Sequence, residues 1–434
     1  MRKLLSRGFQ AAFLAGARGV SGAGFLLFSA FVARHYDATV LGYLTLLWAT
    51  LQGAAILPRQ AYDMAILRFA AVAWDNGGAG HARGFLKLAT GDVLLPTIVV
   101  CAAAMLLCLL PGPAKAFPFL SQSLLSGWLL LPAVALLPVL ASFIRALGLA
   151  GAGTLIDIGS IPLLACLILL VSRAAIQGGA LPGIEPIHAL LLAGCLMLAL
   201  GLALAKFHKP ATAVAPSAPD RDRFRAAGRS MLVNQIINYG NVWLGTFLVG
   251  FYLSAADVGV YSAASRIAQV SLLMMQALLL LYAPSFARSY AAGDVAWLKK
   301  AWLSCAIWSL SFSLPFALVC LFFPSRLLGF FGAGFENGIF SLQILSVGQC
   351  LVAAAGGAMM IVNMTGHEDR ARLILIGTGV LGVAVALVLI PLYGITGAAI
   401  AGAIGLFAQH FVAVIYSVRI VRKLERVGRP GAEA

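Results

Sequence analysis

From residue 8 to residue 420 the chain returns repeatedly to apolar runs of about twenty residues, and this recurrence limits what it can fold into. A hydrocarbon core about 30 Å thick is crossed by about 20 residues of α-helix. Charged or Gly/Pro-rich breaks divide the chain into twelve spans: 8–33, 40–63, 86–110, 121–146, 154–172, 187–206, 230–253, 258–284, 302–324, 336–363, 371–392 and 396–420. An open strand edge has no place in lipid, so spans of this length mean helices. Composition agrees, with 61% of residues hydrophobic and 10% charged, against about 25% charged in an average soluble protein. The sequence therefore predicts an all-α polytopic membrane protein. Its start, "MRKLLSRGF", resembles the basic end of a signal peptide, but the apolar stretch from Gly8 to Ala33 is too long for one. It reads as an uncleaved first span.

Twelve spans put both termini on one side, and the basic residues say which. The N-terminus, the even-to-odd loops and the C-terminal tail receive 23 of the 30 Lys and Arg residues, and the opposite side receives Arg34, Lys115, Arg173 and Arg326. Arg18, Arg59 and Arg266 fall inside spans. The positive-inside rule makes both termini cytoplasmic. The net charge of +15 is then largely a topology signal, and no nucleic-acid partner is needed to explain it.

The longest polar break, "KFHKPATAVAPSAPDRDRFRAAGR" (206–229), follows the sixth span and has the composition of a flexible linker. The pattern repeats on either side of it. "ARHYDATVLGYL" after the first span matches "GFYLSAADVGVYS" after the seventh, and "WDNGGAGHARGFLK" after the second matches "YAAGDVAWLKK" after the eighth. The expected organisation is an N-terminal six-helix lobe (1–206), a cytoplasmic linker (207–229), a C-terminal six-helix lobe (230–420) and a basic cytoplasmic tail (421–434). Six helices per half make the two lobes parallel repeats, with a substrate path expected at their interface.

Polar residues inside the spans are the candidate site. An arginine near the bilayer centre costs roughly 2.5–3.5 kcal/mol on insertion scales, so it is expected to face a polar interior. Arg266 shares a helical stripe with Ser262, Gln269 and Gln276, and Arg18 one with Ser21 and Ser29. Asn234, Asn238 and Asn241 form a stripe in the seventh span, either lining a cavity or joining helices by hydrogen bonds. Gln52, Arg59 and Asp63 align in the second span, where Arg59 and Asp63 either contribute to the cavity or form a local ion pair. Arg34, at the outer end of the first span, either binds substrate or snorkels to the surface. Asp157 stands out as an acid deep in a span, so the expected cavity leans positive and suits an anion. Arginine's planar donor fork matches phosphate oxygens. Burial raises a carboxylate's pKa, so Asp157 and Asp63 are the candidate ion-coupling groups, Asp157 being alternatively a simple acceptor of helix-to-helix hydrogen bonds.

Other chemistry finds little support. The seven cysteines lie in apolar runs without CxxC spacing and the six histidines are scattered, so neither a metal site nor a cofactor is expected. "GGAGHARG" (77–84) lacks a strand-turn-helix setting and reads as a flexible loop. "NMT" (363–365) falls at a cytoplasmic helix end, where a glycosylation sequon means nothing. No Walker motif is present, so the energy for any transport would come from a gradient or the membrane potential.

Four segments, "DVGVYSAASRIAQ" (257–269), "APSFARSYAAGDVAWLKKA" (283–301), "FGAGFENGIFSLQILSVGQ" (331–349) and "IPLYGITGAAIAGAIG" (390–405), carry a resemblance. With "FVARHYDATVLGYL" near the start, they make the chain similar to the Wzx-type polysaccharide and O-antigen flippases of the multidrug/oligosaccharidyl-lipid/polysaccharide (MOP) exporter superfamily. The resemblance implies twelve helices in two six-helix lobes of MATE/MOP type, and alternating access. It also implies a polyprenyl-pyrophosphate-linked oligosaccharide moved from the cytoplasmic to the periplasmic leaflet of a bacterial inner membrane. Arg266 falls on the arginine that follows Gly-x-Tyr-x-Ala-Ala-x in the family, and Arg18 on its first-span arginine. Expected partners are the bilayer, the lipid-linked substrate, and polysaccharide polymerase or export machinery.

Three alternatives stay open. A MATE-like drug or cation antiporter wants acids in its lobes, a membrane polymerase or ligase wants a large outer loop, and a peptidoglycan-precursor flippase uses the same physics as the first reading.

Overall fold

A computed structural model describes residues 22–109, 122–177, 184–208 and 212–427. Among the described residues the order is α1 (22–35), α2 (Ala38–Arg59), α3 (Tyr62–Leu109), a 3₁₀ segment leading into α4 (Leu131–Ala146), α5 (Ala150–Leu155), α6 (Ile161–Gln177) and α7 (Pro186–Phe207). Then follow α8 (Ala218–Tyr252), α9 (Ala255–Gln269), α10 (Leu273–Ala291), α11 (Val295–Phe322), α12 (Pro324–Gly329), α13 (Ile339–Ala354), α14 (Ala358–Met364) and α15 (Glu368–Val427). No β-strand occurs among the described residues.

The chain is an all-α, multi-pass membrane protein. The described part of each of the twelve expected spans is helical apart from short turns, and seven helices among the described residues are by themselves long and apolar enough to cross a membrane. The two counts differ for visible reasons. Helix α15 holds two spans in one run, bent at Gly394 (φ 59°, ψ −137°) inside "PLYGITG". A 3₁₀ turn at Val270–Leu272 divides the eighth span into α9 and α10, and Asn234, Gln235, Asn238 and Asn241 dilute the apolar half of α8.

Helix boundaries depart from the sequence reading at several places. The tenth span breaks where Gly356 (φ 59°) and Gly357 (φ 78°) separate α13 from α14, and the linker expected over 207–229 is helical from Ala218. Three further departures lie in the N-terminal half. The second span does not run through to residue 63. It stops at Arg59, and Gln60 (φ 48°) and Ala61 (φ 55°) turn the chain into α3. Left-handed conformation at a non-glycine residue costs about 1–2 kcal/mol, and nothing in the residue types announces it. The break 64–85 is helical, with α3 bending at Gly78 (φ 74°) instead of forming a loop. The fifth span is interrupted at Asp157, between α5 and the turn before α6.

The described residues form two compact units, one of 22–32 and 43–239, the other of 33–42 and 240–427. In the first, α4 is the core, with every residue from Ala133 to Ile144 buried. Small residues admit its neighbours: a Cβ at Gly153 would lie 2.5 Å from the Ala141 carbonyl oxygen, and one at Gly201 would lie 3.2 Å from Ile156. Without a hydrophobic effect between helices in lipid, such close backbone approach supplies the packing energy.

The second unit contains the first repeat pair. Helix α2 is capped by Asp37, whose carboxylate accepts from the Val40 amide at 2.7 Å. Helix α9 starts with a reciprocal box in which Ser254 and Asp257 bond each other's backbone. At the same register in each helix stands a glycine. A Cβ on Gly42 would run into the Ala255 carbonyl oxygen, and one on Gly259 into that of Ala38. The two matching sequence motifs thus pack against each other reciprocally.

Candidate functional site

The first polar cluster is built on the strained turn. Arg59, at the end of α2, and Asp63, in the first turn of α3, lie on either side of Gln60–Ala61, with Arg59 Nε 3.5 Å from Asp63 Oδ1. Gln235 of α8 closes the triangle. Its amide nitrogen donates to both Asp63 oxygens at 3.0 and 3.2 Å, and its carbonyl accepts from Arg59 Nη2 at 3.2 Å. Gly228 lets α8 approach, since a Cβ there would sit 2.7 Å from the Gln60 carbonyl oxygen and 2.7 Å from the Tyr62 ring. Farther along the same face, the Tyr239 hydroxyl donates to the Ala49 carbonyl at 2.8 Å.

A second cluster lies beside it. Arg225 of α8 binds Asp92 of α3 with both arms of its fork, Nε to Oδ2 and Nη2 to Oδ1, each at 2.8 Å. The Tyr62 hydroxyl donates to the same carboxylate at 3.2 Å. Bidentate charge-assisted bonds are the strong kind, and the bond to Asp92 shifts Arg225 further toward its charged form. The buried Phe224 ring stacks on Tyr62 at 4.9 Å and meets Phe69 and Phe85 at 5.5 and 5.6 Å.

A third pair joins α4 to the break before α6. Asp157 caps the turn by accepting from the Ile158 amide at 2.8 Å, and its other oxygen accepts from Arg145 Nη1 at 3.1 Å. Arg145 Nη2 also donates to the Ser142 hydroxyl at 3.0 Å.

The second unit is arranged differently. Arg266 is partly buried one turn before the end of α9, with its Nε shielded from solvent. Ser262, one turn earlier, is buried, while Gln269 and Gln276 are exposed. The 3₁₀ turn at Val270–Leu272, which advances about 120° per residue instead of about 100°, takes Gln276 off the stripe shared by the residues before it. Asn241 donates to the Leu375 carbonyl at 3.4 Å and, with Tyr261, Thr378 and Gln409, edges a cavity of about 120 Å³ walled largely by glycine and alanine. Each water occupies about 30 Å³, so this space is large enough for a few waters.

The remaining expected residues fall as follows. Arg18 lies outside the described residues. Arg34 is exposed at the end of α1, and Asn234 and Asn238 are exposed on α8. The structure therefore brings Arg59 and Asp63 together, while of the three asparagines Asn241 joins α8 to α15. Sequence reading missed Asp92, Arg145, Arg225 and Gln235. Asp92 was findable, being an acid inside the third span, 86–110. Its partner, 133 positions away, carried no signal.

With this geometry in hand, comparison with known proteins places the fold. Residues 231–340 match the MatE family model. The chain is similar to an inward-facing multidrug resistance MATE family transporter of the MOP superfamily, at TM-score 0.75 and 15% identity, covering 94% of this chain and 96% of that one. An outward-facing multidrug resistance MATE transporter of the MOP superfamily matches at TM-score 0.62 and 15% identity over 96% of each chain. The fold is MATE-like. Over 197 residues, 43% of this chain, the sequence is 23% identical to the probable low-salt glycan biosynthesis flippase Agl15 of Haloferax volcanii (strain DS2). That match spans 41% of the flippase.

Proposed function

We propose that this protein is a transporter that moves a polyprenyl-pyrophosphate-linked oligosaccharide from the cytoplasmic to the periplasmic leaflet of a bacterial inner membrane, for surface polysaccharide synthesis. The observation that carries the reading is the distribution of charge within the spans. Asp63, Asp92 and Asp157 each lie against an arginine, whereas the helix run that holds Arg266 has Asp257 as its single acid, committed to the cap of α9. Cation export needs accessible carboxylates, and here they are engaged. A positively biased interior suits a pyrophosphate, which arginine binds through paired donors. The partial likeness to a glycan biosynthesis flippase supports the same reading.

In this proposal Arg266 and Arg18 bind the pyrophosphate, and the two repeats alternate access to it. The test is deletion of the gene followed by mass spectrometry of lipid-linked saccharides. A lipid-linked oligosaccharide should accumulate on the cytoplasmic side. Drug sensitivity with no accumulating saccharide would point instead to a MATE-like antiporter, and an accumulating peptidoglycan precursor to a cell-wall flippase. The orientation is tested separately: alkaline phosphatase fused after residue 180 should be active and after residue 215 silent, because basic residues concentrate on the second side. Activity at 215 would reverse the topology.

A further inference from the structure

The bend at Gly78 opens a cleft that the proposed transport does not use. The two arms of α3 diverge from it, and the segment 212–217 closes the third side. That segment is seated by small residues: the Val214 amide donates to the Gly80 carbonyl at 2.9 Å, and a Cβ on Gly84 would run into the Val214 carbonyl oxygen. Arg83 fixes the adjoining wall by donating to the carbonyls of Ala205, Lys206 and His208 at the end of α7. The "GGAGHARG" stretch, expected as a flexible loop, is thus a structured seat.

The cleft has a volume of about 790 Å³ and is open on one side. Phe69, Val72, Phe85 and Pro216 supply an apolar wall, and Arg68, Arg223 and His81 a basic edge. The aromatic wall is firm, since Phe69 and Phe85 meet at 5.6 Å and both pack on Phe224. The single acid in the lining, Asp220, already accepts the Ser217 hydroxyl at 2.5 Å. Arg68 and Arg223 are exposed, and neither forms an ion pair among the described residues. On the same arm of α3, Met64, Leu67 and Val72 expose apolar side chains beside Arg68. An exposed apolar helix face that carries a cation suits the lipid–water boundary.

We infer that this cleft binds the phosphate headgroup of an anionic lipid, with Arg68 and Arg223 on the phosphate and Phe69, Val72 and Phe85 against the first part of the chains. Volume decides between lipid and free ion: ligand sites of about 300–1,000 Å³ hold molecules of drug size, and inorganic phosphate would leave the apolar wall against water. Two sources share the chemistry, a bulk anionic phospholipid and a polyprenyl phosphate. The inference is independent of what the protein transports.

The experiment is native mass spectrometry of the full-length protein, purified in detergent and offered phosphatidylglycerol, phosphatidylcholine, a polyprenyl phosphate or inorganic phosphate. The wild type should retain phosphatidylglycerol and not phosphatidylcholine. The Arg68→Ala/Arg223→Ala protein should lose at least roughly tenfold in retention, since each basic residue at an anionic lipid surface contributes several-fold. Arg68→Lys/Arg223→Lys should retain most of it, and all three proteins should keep the same thermal midpoint. Stronger retention of the polyprenyl phosphate would assign the cleft to that lipid, and equal or weaker retention to bulk phospholipid. Equal phosphatidylglycerol retention by wild type and alanine variant, equal retention of phosphatidylcholine, or displacement by inorganic phosphate at matched concentration would each overturn the assignment.

Discussion

The base of α2, α3 and α8 and the run α9–α10 distribute their charges differently. In the first region charges come as partners: Arg59 with Asp63 and Gln235, Arg225 with Asp92 and Tyr62. These bonds tie α2 and α8 to α3 and the two arms of α3 to each other, so the network holds architecture. In the second region Arg266 lies on a helix run whose single acid serves as a cap. The difference teaches that an arginine within a span is not by itself a sign of transport. For Arg59 and Arg225 the fold supplies a carboxylate across the helix contact.

That contrast can be broken most sharply at Arg266. Arg266→Gln should reduce polymer export to background while membrane abundance stays near normal, and Arg266→Lys should keep partial export because the charge survives without the fork. Export by a normally expressed Arg266→Gln protein would remove the contrast altogether. The reverse pattern is expected at the second cluster. Asp92→Ala leaves the Arg225 fork without its partner and should destabilise by about 1.5–3 kcal/mol, near the lower limit because Arg225 is 36% exposed. It would be seen as a lower thermal midpoint in detergent and reduced abundance. The exchange Asp92→Arg/Arg225→Asp should restore part of the loss, and no rescue would mean that the pair is not what joins α3 to α8.

Smaller effects sharpen the comparison. Gln235→Ala removes three hydrogen bonds from a partly exposed cluster and should lower stability by about 1 kcal/mol with export retained. Asp157→Asn weakens one partly exposed pair and should change stability by about 0.2–1 kcal/mol. In proteoliposomes under separately imposed H⁺, Na⁺ and potential gradients, Asp157→Asn and Asp63→Asn should both keep the wild-type gradient dependence. Loss of that dependence in either protein would make its carboxylate a coupling group, and the partnered charges would then be functional as well as structural.

Much of this was legible beforehand in uneven ways. The helical spans followed from apolar run length, and the Gly394 bend fell in the break between 371–392 and 396–420. The repeat seen in "ATVLGY" and "AADVGVY" reappears as reciprocal contacts at Gly42 and Gly259. The alignment of Gln52, Arg59 and Asp63 on one helix face did not survive, because two residues in the left-handed region intervene. The asparagine periodicity in α8 was correctly spaced but could not say which face docks. Gln235, one residue along from Asn234, makes the contact instead.

The sequence by itself determined that this chain crosses a membrane as helices, because 10% charged residues cannot cover a water-soluble surface over so many long apolar runs, and open strands leave backbone groups unsatisfied in lipid. It also determined the internal repeat and the excess of basic charge at one set of loops. Only the tertiary structure decided which charges are partnered. Asp92 and Arg225 are 133 positions apart, and the backbone strain at Gln60–Ala61 and the missing Cβ of Gly228 bring their helices together. A charge in a low-dielectric interior is defined by what lies within a few ångströms of it, and that distance is set by packing across helices, which one-dimensional spacing does not encode.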